Sequence, residues 1–228
     1  MSRIAIITAR GGSRRIPKKN IRDFCGKPII AYSIKAALSS GIFDDVLVST
    51  DSEEIAEIAK AAGASVPFLR SEETSGDFAT TADVIAEVLD QCADRGREYD
   101  SFCCIYPTAP FVTGEKLQKA ATLMEEREAD AVVTVVRFSF PPQRSFVEKN
   151  GFLAYQWPEY AQRRSQDLEP FYHDAGQFYL VKTGAFRKER TVVPARTCPL
   201  ILPETEVQDI DTPEDWEIAE IKYRMSHG

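Results

Sequence analysis

"DVLVSTDSEEIAEIAKAAG", residues Asp45 to Gly63, changes its period part-way along. Val46, Leu47 and Val48 follow one another without a polar break, the pattern of a strand covered on both faces. From Glu53 onward, Ile55, Ile58, Ala59 and Ala62 recur at the spacing of one helical face. Asp51 and Glu54 resemble a capping box at the join, and Gly63 stands where a left-handed C-terminal cap belongs. A buried strand that runs straight into a helix has no tight turn to a partner, so its neighbour must be reached by a crossover.

The same unit recurs along the chain. "IAIIT" (Ile4–Thr8), "SFCCIYP" (Ser101–Pro107) and "AVVTVVRF" (Ala131–Phe138) read as further buried parallel strands, and "SVPFLR" (Ser65–Arg70) as the third strand in chain order. Helical spacing fills "PIIAYSIKAALSSG", "TADVIAEVLDQCADRG" and "EKLQKAATLMEERE", with Gly41 and Gly96 as further caps. The pattern predicts an α/β fold, a doubly wound and mainly parallel sheet in a single domain over residues 1–228. Toward the end, "GQFYLVKT" and "CPLIL" resume regular structure, and Thr212 caps a helix whose first residue is Pro213.

Between Ser139 and Tyr172 the alternation fails. Proline, aromatic and charged residues take over, and Asn150-Gly151 sits between apolar runs, which signals a hairpin. A lone hairpin cannot bury both its faces, so residues 139–172 are expected to form a dimerisation arm covered by a second subunit.

Composition narrows the function. The net charge of -7 disfavours broad affinity for nucleic acid or an anionic membrane, so concentrated basic charge should serve a small anionic ligand. No long uncharged apolar run and no signal-peptide layout is present, which predicts a soluble, cytoplasmic protein. Five cysteines without C-x-x-C spacing suggest buried thiols, and two histidines leave no multi-histidine metal chemistry.

Against that acidic background, "ARGGSRRIPKKN" (Ala9–Asn20) follows the first strand, at the sheet edge where open α/β folds bind ligands. Gly11 and Gly12 let backbone N–H groups approach phosphate oxygens, and Arg10, Arg14, Lys18 and Lys19 suit a polyphosphate. The loop is neither a Walker A nor a dinucleotide fingerprint, and a solvated basic turn is the competing reading. "QDID" places Asp209 and Asp211 on one side if it is extended, and such a pair suits a hard divalent cation or, alternatively, a helix cap. "YPTAP", with Tyr106, ends a strand, and "FYHDAGQFY", with His173 and Gln177, enters another, so each is a candidate pocket mouth. A proline-shaped turn and a structural histidine are the bland alternatives. Arg70 and Asp77 flank a loop where a base or ribose fits, or form a surface ion pair. Arg163 and Arg164 in the excursion are either carboxylate grips or merely exposed.

Taken in order, "ARGGSRRIPKKN", "VLVSTD", "LRSEETSGD", "YPTAP", "AGQFY" and "DIDTPED" resemble the CMP-sialic acid synthetase family of cytidylyltransferases over nearly the full length. "DFCGKPIIAYS" and "EPFYHDAGQFY" are most similar to its pseudaminic acid branch. The resemblance implies an enzyme of the nucleotide-diphospho-sugar transferase type that joins CTP to a nine-carbon 2-keto sugar acid, with Mg2+ as cofactor and a homodimer as assembly. It implies a triphosphate and nucleotide loop at Arg10, Ser13, Lys19 and Asn20, a cytosine contact at Arg70, and metal ligands at Asp209 and Asp211. Tyr106 stands where sialic acid synthetases carry glutamine, and "YHDAGQ" replaces an arginine-asparagine pattern, so the sugar side departs while the CTP side does not. N-acetylneuraminate, legionaminate and 3-deoxy-manno-octulosonate remain rival sugars, and a noncatalytic CTP- or CMP-binding regulator is the rival of another class. A nicotinamide dehydrogenase is weakened by the missing glycine fingerprint.

Overall fold

A computed structural model describes residues 1–13 and 15–227. β1 (Arg3–Thr8) leads through the basic loop to a small antiparallel ribbon, β2 (Asp23–Phe24) and β3 (Lys27–Pro28), and then to α1 (Ile30–Ser40). β4 (Asp45–Ser49), α2 (Glu53–Ala61), the single turn α3 (Glu72–Ser75), α4 (Thr81–Ala93), β5 (Ser101–Ile105), α5 (Gly114–Glu126) and β6 (Ala131–Arg137) follow. The arm contributes β7 (Phe146–Lys149) and β8 (Phe152–Tyr155), after which come β9 (Tyr172–Lys182), α6 (Thr183–Glu189), β10 (Thr197–Ile201) and α7 (Pro213–His227).

Among the described residues six strands form one sheet in the order β10-β6-β9-β5-β1-β4. All run the same way except β9, which is antiparallel to both β5 and β6. The exception follows from the connection: β6 is joined to β9 by a hairpin arm instead of a helical crossover, so the chain re-enters from the edge it left. Side-chain alternation splits the core. Ala5, Ile7 and Val48 pack with Ile34, Ile55 and Leu117 of α1, α2 and α5 on one face. Ile4, Ile6 and Leu47 pack with Ile85, Leu89 and Phe186 of α4 and α6 on the other. The doubly wound expectation therefore holds.

Several local expectations are corrected. Asp51 does not cap α2; Ser52 does, accepting the Ile55 N–H at 3.4 Å. "SVPFLR" makes only a single bridge, Ser65 to Leu47, because Pro67 has no N–H with which to continue a ladder. "QDID" lies outside any strand, although Ile210 is buried and the aspartates on either side of it are not. The caps at Gly41, Gly63 and Gly96 all have positive φ, and Asn150-Gly151 turns the β7–β8 hairpin with φ of 54° and 83°. All five cysteines are free thiols, and no described helix is long and apolar enough to cross a membrane.

Candidate active site

The basic loop is anchored by one apolar residue. Ile16 is fully buried in a satellite cluster with Phe24, Ile29, Ile210 and Trp216, which pins the loop against the entry to α7. Burial of Ile16 and Ile210 in one cluster forces their charged neighbours together. The Lys19 ammonium donates to the Ile210 carbonyl at 2.7 Å and stands 3.5 Å from Asp211, whose carboxylate also accepts from Arg15 at 2.7 Å. The Asn20 amide ties off the loop by donating to the Arg10 carbonyl at 2.8 Å. Arg14, expected to add to this charge, lies outside the described residues.

Gly11 corrects the reading of a phosphate-facing amide, because its N–H is donated to the Asp51 carboxylate at 2.7 Å. A Cβ there would stand 3.2 Å from that of Ser52, so glycine serves close approach to the β4–α2 turn. At Gly12, by contrast, no atom of the described residues beyond its chain neighbours lies within 4 Å of where a Cβ would stand. Ser13 follows with its N–H on the Gly11 carbonyl at 3.0 Å. Arg10 pairs with Asp77 at 3.1 Å across the mouth. Buried Arg70 braces the end of β4, donating through Nε to the Ser49 hydroxyl at 3.1 Å and through Nη2 to its carbonyl at 2.7 Å. Burial lowers the pKa of this guanidinium, which Asp51 and Glu87 oppose.

Opposite the loop, His173, Asp174, Gln208, Asp209, Asp211 and Lys222 line a cleft of about 420 Å³. Partial desolvation of its carboxyl group in the cleft wall and the neighbouring Asp211 carboxylate hold Asp209 above its ordinary range, against the pull of Lys19. A larger hollow of about 610 Å³ runs along the Ser71–Ala79 segment, lined by Glu73, Asp83, Glu87 and Arg190, with neither Asp209 nor Asp211 in its wall.

A family model described as cytidylyltransferase matches residues 4–206. The chain belongs to the cytidylyltransferase family. The pseudaminic acid cytidylyltransferase of Campylobacter jejuni subsp. jejuni serotype O:2 is 40% identical over 228 residues, covering 100% of this chain and 98% of that protein. The CMP-N,N'-diacetyllegionaminic acid synthase of Legionella pneumophila is 35% identical over 226 residues, covering 95% and 94%. A solved CMP:2-keto-3-deoxy-manno-octonic acid synthetase complexed with CTP superposes with a TM-score of 0.70 at 17% identity, covering 100% and 99%, which shows the shared fold.

In this cytidylyltransferase the remaining expected residues divide. Tyr106 is partly buried beyond β5, its ring edge-on to Tyr179 with centroids 5.7 Å apart. His173 is exposed, packs at a tilt against Phe138 with ring centroids 4.9 Å apart, and lines the cleft. Gln177 is a correction: it is buried, and its amide donates to the Glu206 carbonyl at 2.7 Å, so it holds the approach to Asp209 from behind instead of lining the cleft. Arg164 is also not gathered into the cleft; it is exposed in the arm and paired with Asp167 at 2.7 Å. Sequence reasoning missed Arg15, Asp51, Asp174 and Lys222. Lys222 donates to the Val207 carbonyl at 2.8 Å and to Gln208 Oε1 at 3.0 Å. Its helical position alone carries no signal of that reach.

Proposed function

We propose that this protein is a cytoplasmic homodimer that couples CTP to a nine-carbon 2-keto sugar acid, pseudaminic acid, giving the CMP-sugar and pyrophosphate. The observation that carries the reading is the meeting of the basic loop with Asp209 and Asp211, 3.5 Å apart at Lys19 and Asp211. It is supported by the pseudaminic acid cytidylyltransferase of Campylobacter jejuni, similar over its whole length. The exposed aromatic arm, with Phe140, Phe146 and Phe152 in solvent, supports a second copy as its cover.

The chemistry is an in-line displacement. The sugar's anomeric oxygen attacks the α-phosphorus, the bond to the bridging oxygen of pyrophosphate breaks, and the hydroxyl proton leaves to solvent. Lys19 and Arg10 hold the charge that develops on the leaving pyrophosphate, with Gly12 and Ser13 beside the phosphates. Arg70 and Asp77 serve the nucleoside, with Asn20 holding the loop beside it, and Tyr106 and His173 face the sugar, with Arg164 carried by the arm toward the pocket of the second copy. Asp209 and Asp211 flank buried Ile210 and bring two hard oxygen donors to the cleft, which fits magnesium held by this pair and substrate oxygens. When bound, the ion supplies Lewis-acid polarisation of the α-phosphate.

The test is pyrophosphate release with CTP, with and without magnesium, over a panel of 2-keto sugar acids. Pseudaminate is expected to show a kcat/KM about tenfold to a hundredfold above N-acetylneuraminate, because Tyr106 offers an aromatic face where a hydroxylated tail leaves polar groups unpaired. Equal efficiency overturns the sugar assignment, and no release with any sugar overturns the coupling reaction.

A further inference from the structure

Strand β9 leaves its ladder in the middle of the sheet. Val133 of β6 faces Tyr179, but Val135 faces Asp174, so two steps along β6 match five along β9. In a regular strand, residues five apart sit about 16 Å from each other and point to opposite faces. Here the excess folds into a bulge, and Thr134 fills the gap by donating its hydroxyl to the Phe178 carbonyl and accepting the Phe178 N–H. Asp174 closes the bulge from both ends. One carboxylate oxygen accepts the Gly176 N–H at 2.7 Å and the other accepts the Tyr179 hydroxyl at 2.6 Å.

The closed bulge touches both halves of the site. The Tyr106 N–H is donated into it, to the Gln177 carbonyl at 2.9 Å, and the Tyr106 ring rests on Tyr179. On its other side Gly176, at φ +61°, brings the backbone against Asp209; a Cβ there would stand 3.6 Å from the Asp209 carboxyl carbon. We propose that Asp174 is a positioning residue, a two-armed clasp whose hold on the bulge fixes Tyr106 and Asp209 relative to each other. The inference rests on the reading of Tyr106 as sugar-facing and Asp209 as metal-holding.

The two donors meet different carboxylate oxygens, and in an asparagine one of those atoms becomes an NH2 group, which cannot accept. Asp174→Asn and Asp174→Ala are expected to raise KM for the sugar acid about tenfold, in keeping with loss of one charge-assisted hydrogen bond. They should also raise the magnesium concentration at half-maximal rate, while metal-free CTP affinity stays within about twofold. Tyr179→Phe removes one arm only, so it shifts KM for the sugar yet leaves the Gly176 amide protected from hydrogen exchange. In Asp174→Ala that amide exchanges rapidly, a readout that needs no turnover. A fall in kcat with both KM and the magnesium midpoint unchanged marks a merely structural aspartate and overturns the proposal. So does a Gly176 amide that stays protected in Asp174→Ala. If the parent protein turns over no sugar acid, the functional reading falls, and the exchange measurement still decides the clasp.

Discussion

Lys19 finds its partners far along the chain: Ile210 and Asp211 are brought to it only because Ile16 and Ile210 are buried in one cluster. Its side chain is 20% exposed, so the ammonium is shielded enough for its charge to act on a phosphate yet contributes little to the core. Lys19→Ala is expected to lower turnover on CTP about a hundredfold, equivalent to ~3 kcal/mol of lost transition-state stabilisation. The hydrogen bond to the Ile210 carbonyl is worth about 1 kcal/mol net, a shift in Tm of only about 2–4 °C. A variant that keeps the parent rate, or that loses activity only by unfolding, removes Lys19 from the mechanism. At this scale the loop was legible as a cluster of charge, because clustered cations on an acidic chain stand out. Asp51 was not, since an aspartate one residue before Ser52 looks like a helix cap until the fold shows Gly11 donating to it.

Elements were legible where a local signal settles them. Thr212 caps α7 as its sequence predicts, and Asp215 answers by accepting the Thr212 hydroxyl at 2.8 Å and the Thr212 N–H at 2.8 Å. Bonds from the Thr212 side chain, with help from the backbone N–H groups of Asp211 and Thr212, hold the Asp215 carboxyl below its usual range. A depressed carboxyl adds stability above its unfolded pKa of about 4 and loses it as pH falls through the folded value. Asp215→Asn should therefore cost about 0.5 kcal/mol near neutrality, with the gap to the parent narrowing as pH falls below about 5. Urea unfolding across that range checks this, and a gap independent of pH would falsify it. The β9 bulge, in contrast, carries one weak local signal, Gly176 inside the strand. Regular structure reads from "GQFYLVKT" onward, and only the mismatch with β6 reveals that Asp174 and Tyr179 meet.

Across the whole molecule, the arm leaves Phe140, Phe152 and Leu153 in solvent on a two-stranded ribbon, which suits the proposed dimer. Sedimentation velocity is expected to give a dimer for the parent and a monomer for the double variant Phe152→Glu, Leu153→Glu. A parent that sediments as a monomer at every concentration ends the arm's assignment. The placement of β9 between β5 and β6 also bears on how the chain is made. During synthesis β4, β1 and β5 can zip together early, and β6 can emerge with its helix, yet the two pieces share no ladder until Tyr172–Lys182 has left the ribosome. Until then two raw edges, one on β5 and one on β6, face each other across the width of a missing strand, open to pairing with any extended chain nearby. The last central strand is thus a keystone, and nascent chains ending just before it should be the ones that chaperones hold longest.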